Sequence, residues 1–197
     1  MARARKLFPI YGSALANNTL VALRRGRLVE GFVAGYVAGY DRRGILGEES
    51  RDRELAETIG REVVLAILIE ARRALPRFFG KKQIAKLKED ESQAVEAFFQ
   101  EMIAALDRAW EFNGEDRRQF RRDLKLYSDF DLSQTVPARV LKRGNTREEE
   151  SPFIGRVALL LDPSMLEQAR RASRKFQGDV ARLAQKLLKQ TLRHGRT

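Results

Sequence analysis

Apolar side chains along this chain recur mostly at intervals of three and four, the spacing of one helical face, so the pattern predicts a mostly α protein. The clearest stretch runs from Lys82 to about Phe112. There Ile84, Leu87, Glu91, Val95, Phe98, Met102, Ala105 and Ala109 keep the interval, Phe99, Ile103, Leu106 and Trp110 widen the stripe, and Asn113-Gly114 supplies the stop. A second helix is predicted from Glu48 or Asp52 to Leu75. Acidic residues crowd its first turns, Arg72 and Arg73 its last, and Pro76 follows. Val63 to Ile69 is apolar on every side, which marks this helix as the central, most buried one. A shorter helix fits Glu115 to Tyr127, with Phe120, Leu124 and Tyr127 inward and Arg117, Arg118, Arg121 and Arg122 on the other faces.

The first helix is predicted from Ser13 to about Tyr40, broken or bent around Arg24-Arg25-Gly26-Arg27. Its second half repeats every four residues, with Gly31, Gly35 and Gly39 on one stripe and Phe32, Tyr36 and Tyr40 on the next. Each glycine costs a helix about 1 kcal/mol relative to alanine. Close approach of a neighbouring helix would offset that, with the aromatic stripe packed in the core. The same letters alternate with period two, so a strand is the alternative reading for residues 31–40. Four helices with short connections make an antiparallel bundle the economical architecture.

After Ser128 the pattern lapses into Pro137, Gly144-Asn145, three consecutive glutamates and Ser151-Pro152. Val136 to Leu141 and Arg156 to Leu161 are predicted as strands, pairing as a small hairpin. Asp162-Pro163-Ser164 then opens a long amphipathic helix to about Arg193. The predicted organisation is a basic N-terminal arm (1–12), a helical bundle (13–128), a linker or long loop (129–155) and a basic strand-helix module (156–197).

The last helix has two faces of different chemistry. Leu166, Ala169, Phe176, Val180, Leu183 and Leu187 follow a heptad spacing that calls for a partner helix, within an oligomer or on another protein. Arg171, Lys175, Arg182, Lys186, Lys189 and Arg193 line a second side, broadened by Arg170 and Arg174. Such a row can neutralise several phosphates. Strand-like Val157 to Leu161, helix-like Pro163 to Phe176, the Gln177-Gly178-Asp179 break and helix-like Val180 to Leu192 are similar in order and length to ribbon-helix-helix DNA-binding proteins, over 36 of 197 residues. That resemblance implies a strand paired across a dimer, reading bases in the major groove. The outward positions here are Ala158 and Leu160, which carry no side-chain hydrogen-bonding groups, so Arg156 alone could read a base.

Charge sharpens the picture. Thirty-eight Lys and Arg against 27 Asp and Glu give +11 at pH 7. Residues 1–43 hold eight basic and two acidic side chains (+6) and 132–197 hold fourteen and six (+8), whereas 44–80 and 81–131 carry −1 and −2. The excess sits at the two ends and favours an anionic partner. Arg outnumbers Lys 28 to 10, and a base-composition bias of the source would produce the same surplus without any binding role.

The absence of cysteine removes disulfides, thiolate metal sites and cysteine nucleophiles, and the single histidine, His194, removes a His-centred triad within one chain. No apolar run approaches the roughly 20 residues that span a bilayer. Arg3, Arg5 and Lys6 before Leu7 to Ile10, with Ala14-Leu15-Ala16, imitate a signal peptide, but Pro9, Tyr11, Gly12 and Ser13 break its apolar middle, so a cytoplasmic location is expected. No phosphate-cradling glycine loop, dinucleotide fingerprint or nucleophile elbow occurs. Carboxylates pair at helical spacing, as Asp107 with Glu111 and Glu54 with Glu57, but arginines stand near them. Surface ion pairing accounts for these better than a metal site. Glu62 and Glu70, beside the apolar run, would be costly if buried without partners.

The expectation is a non-enzymatic nucleic-acid-binding accessory or structural subunit without a cofactor, of low sequence specificity and oligomeric or part of a larger complex. The alternatives are a scaffolding protein docking through its heptad face, and a carboxylate-metal enzyme in the bundle.

Overall fold

The computed structural model describes residues 2–40, 44, 47–78, 91–128 and 151–194, and every regular element among them is helical. In chain order these are α1 (Ala2–Gly26), α2 (Leu28–Tyr40), α3 (Glu49–Phe78), α4 (Glu91–Trp110), α5 (Gly114–Ser128), α6 (Pro152–Leu161) and α7 (Leu166–His194). The expected helical bundle is present, without its C-terminal strand.

α3 is the axis of the fold. It touches each of the other six helices, and Val63 through Ile69 are all 3% exposed or less. An apolar sequence on every side can be buried only by neighbours on every side. Burying each such Val, Leu or Ile is worth about 1.5–3 kcal/mol, so this segment anchors the core. α4 runs antiparallel to α3: Arg72 reaches Glu96 at 2.9 Å near one end, while Trp110 and Val64 line a common groove near the other.

Of the break or bend expected in the first helix, the structure shows the break. Arg27 takes a positive φ of 45°, in the left-handed region that a non-glycine residue enters at a cost of about 1–2 kcal/mol. α2 then starts afresh, with the Gly31 amide donating to the Arg27 carbonyl at 2.8 Å. At the other end α1 begins at Ala2, so the backbone of the expected N-terminal arm is already helical.

Residues 31–40 are helix, not strand, and of the aromatic stripe Phe32 and Tyr36 pack inward while Tyr40 is exposed. Phe32 stacks on Phe176 of α7 with ring centres 3.9 Å apart and planes parallel, and Tyr36 is 2% exposed. Among the described residues the glycine stripe mediates no close packing: Gly31, Gly35 and Gly39 have no described neighbour within 4 Å of where a Cβ would stand. The close helix approach occurs at Gly12. A Cβ there would lie 2.3 Å from the Phe98 carbonyl oxygen and 3.2 Å from the Met102 amide nitrogen, so α1 and α4 meet backbone to backbone at this point.

The largest departure from the sequence reading is at Val157 to Leu161, the second half of α6. The stretch reads as a strand when taken from Arg156 onward, because a five-residue apolar run has no period of its own. Read from Ser151, it has Pro152 at the start of a helix and Phe153, Ile154, Val157, Ala158 and Leu161 on one buried face. Leu159, which a strand would place beside Val157 and Leu161, is 56% exposed. The other proposed strand, Val136 to Leu141, lies outside the described residues, as does most of the predicted linker. α7 continues through Gln177-Gly178-Asp179 without a break. With α6 helical, the strand that carries the ribbon-helix-helix resemblance is missing.

Candidate nucleic-acid interface

α7 is positioned by its own entry turn. Asp162 is 9% exposed, and its Oδ1 accepts from the Ser164 amide at 2.9 Å, the Ser164 hydroxyl at 2.5 Å and the Met165 amide at 3.1 Å. These bonds satisfy the amides of the turn that leads into α7. The predicted heptad face then meets this chain's own helices. Ala169, Phe176, Val180 and Leu187 are buried, and Leu166 and Leu183 pack at the edge of the same core, against α1, α2, α3 and α6. The Asn18 side-chain amide of α1 donates to the Thr191 hydroxyl at 3.0 Å and fixes the far end. The partner that the spacing calls for is thus supplied within the chain.

The opposite side is basic and open. Arg171, Arg174, Lys175, Arg182, Lys186 and Lys189 are exposed, and Arg170 is half-buried. Arg170 pairs with Glu167 at 3.2 Å and Arg182 with Asp179, each one turn away on α7 itself. Arg171, Lys175, Lys186 and Lys189 make no ion pair among the described residues. From Arg171 to Lys189 the row is about 27 Å long at 1.5 Å per residue. Its wide interval, between Lys175 and Arg182, is filled by Gly178. The side chain of Arg193, in the last turn, lies outside the described set.

A different cluster of charge was not legible beforehand. Glu62 of α3 is 6% exposed; Tyr127 of α5 donates its hydroxyl to Glu62 Oε2 at 2.5 Å, and Arg156 of α6 stands 3.2 Å from Glu62 Oε1. Arg156 also reaches Asp123 Oδ1 at 2.6 Å, and Gln119 donates to that same oxygen at 3.0 Å. Burial pushes the Glu62 carboxyl above the usual carboxylate range, against the pull of Tyr127 and Arg156. The Tyr127 phenol is raised too, by burial and by the Glu62 charge. Burial alone would lower Arg156, but its bond to Asp123 and the charge of Glu62 hold it above its ordinary value. The cluster pins α5 and α6 to α3. It also engages Arg156, which the sequence offered as a base-reading residue. The available signal was a lone Arg inside the apolar stripe of α6 and a lone Glu at the edge of the α3 run.

The carboxylate pairs go elsewhere. Asp107 is held by Arg117 at 2.9 Å, and Glu57 stands 4.0 Å from Arg53 on the surface of α3. Among the described residues no three His, Cys, Asp or Glu side chains gather closely enough to hold a metal, and no helix is long and apolar enough to cross a membrane. No family model, curated protein or solved structure matches the chain.

Proposed function

We propose that this protein binds nucleic acid through phosphate contacts along α7, as a non-catalytic accessory or structural subunit. The observation that carries the reading is the two-sidedness of α7: its apolar face is committed to the chain's own core, while Arg171, Lys175, Lys186 and Lys189 face solvent without ion-pair partners among the described residues. Four to six cations in a row on a rigid helix match the spaced charge of a phosphate backbone. An anionic membrane is a poorer match, because an interfacial helix must insert its apolar face, and here that face is occupied. The same occupation weighs against docking of α7 on a second protein through its heptad residues.

Fluorescence anisotropy against labelled duplex and single-stranded DNA and RNA, from 50 to 200 mM salt, tests the reading. With four or five phosphates engaged, log affinity should fall against log salt with a slope of about −4. Changing Lys175, Lys186 and Lys189 to Glu together should weaken binding by about 100-fold or more. Binding unaffected by that triple change, or no tighter than to a charge-matched polyanion, would overturn it.

A further inference from the structure

α5 presents another basic surface, from which one of its acidic residues is drawn away. The helix carries three acidic residues, Glu115, Asp116 and Asp123. Asp123 is drawn inward by Arg156 at 2.6 Å, with a side chain only 14% exposed, so it contributes little to the outer face. Glu115 and Asp116 sit in the first turn, where Asn113 Oδ1 accepts from their amides at 2.8 and 2.9 Å and Asp116 accepts from the Asn113 amide at 3.3 Å. Negative charge there complements the helix dipole. Arg117 is engaged by Asp107 of α4. Beside exposed Lys125 and one turn after exposed Glu115, the outside of the helix carries Arg118, Arg121 and Arg122, all exposed, with Arg118 three and four residues from the other two, and none of these three arginines has an ion pair among the described residues.

This surface is separate from the α7 row. α6 lies against both helices, touching α5 through Arg156 and α7 through Phe153, whose ring centre is 5.9 Å from that of Phe176. We infer that Arg118, Arg121 and Arg122 form a second phosphate-binding face for nucleic acid, acting independently of α7. The inference rests on the nucleic-acid reading of α7. Guanidinium groups suit it, since each presents planar paired donors to a phosphate.

The test uses the full chain, a labelled 12-base-pair duplex and two backgrounds, wild type and Lys175, Lys186, Lys189→Glu. In the second background, residual binding is expected with a salt slope of about −3, as three phosphate contacts would give. Adding Arg118, Arg121, Arg122→Glu should abolish that residue of binding, whereas the same three positions changed to Lys should keep most of it with the slope unchanged. Far-UV circular dichroism and thermal midpoints verify that each variant is folded. If the α7 triple and the sextuple variant bind alike, the second face is overturned while the α7 reading stands. A wild-type chain that binds neither this duplex nor single-stranded or duplex DNA or RNA of any kind tested overturns both.

Discussion

Arg156 and Arg171 are the same residue type, fifteen positions apart, in opposite surroundings. Arg156 sits at the junction of α3, α5 and α6, its side chain 32% exposed and engaged by Glu62 and Asp123; Arg171 stands in solvent on α7. Behind the first lies a low-dielectric core, where the Coulomb attraction between charges is several times stronger than in water. Around the second, water and salt screen it. The half-buried arginine therefore bears on how the chain holds together, and the exposed row on what it attracts.

That contrast can be broken by experiment. Arg156→Met keeps much of the side-chain volume but leaves Glu62 and Asp123 without their cation. Breaking a fully buried pair costs about 3–5 kcal/mol, and the partial exposure of Arg156 reduces the expected loss to about 2–3 kcal/mol in urea unfolding. A loss under about 1 kcal/mol would mean the cluster is not a structural pin.

A smaller effect should appear in pH dependence. The folded chain holds the Glu62 proton more tightly than the unfolded chain does, because burial raises its pKa. As pH climbs from the ordinary carboxylate value through the raised one, the unfolded state releases its proton first and stability falls, levelling off above the raised value. Glu62→Gln removes that contribution, so the stability of wild type relative to this variant should decline across the window and be flat above it. Urea midpoints of both proteins between pH 4 and 8 measure it; a constant difference would contradict the assignment.

The smallest expected effect lies on the other side of the comparison. Arg171→Met should change stability by no more than about 0.5 kcal/mol, as exposed substitutions generally do. It should nevertheless reduce the salt slope of nucleic-acid binding by about 1. A large stability loss at Arg171 would erase the distinction between the two arginines.

Much of the architecture was legible along the chain because periodicity is a local property. Within the described residues α3, α4 and α5 follow most of their stripes, although Ala109 is exposed and the part of the α4 stripe predicted from Lys82 to Asp90 lies outside those residues, and the basic row of α7 faces outward as its spacing implies. The glycine repeat of α2 misled because the cost of glycine says nothing about where a neighbour stands; Gly12, with no repeat around it, makes the close contact. α6 misled because its defining positions, Phe153 and Ile154, precede the apolar run that drew attention.

The chain by itself determined that helices form, which of them is buried on every side, and that one long helix separates apolar from cationic side chains. Pairing was decided in three dimensions. That Arg156 finds Glu62 across 94 residues, that Asp123 turns inward while three arginines of α5 have no ion pair among the described residues, and that the heptad face of α7 is closed by its own chain depend on how helices pack. Local spacing fixes which residues share a face, whereas the choice of neighbour comes from burying all the faces at once.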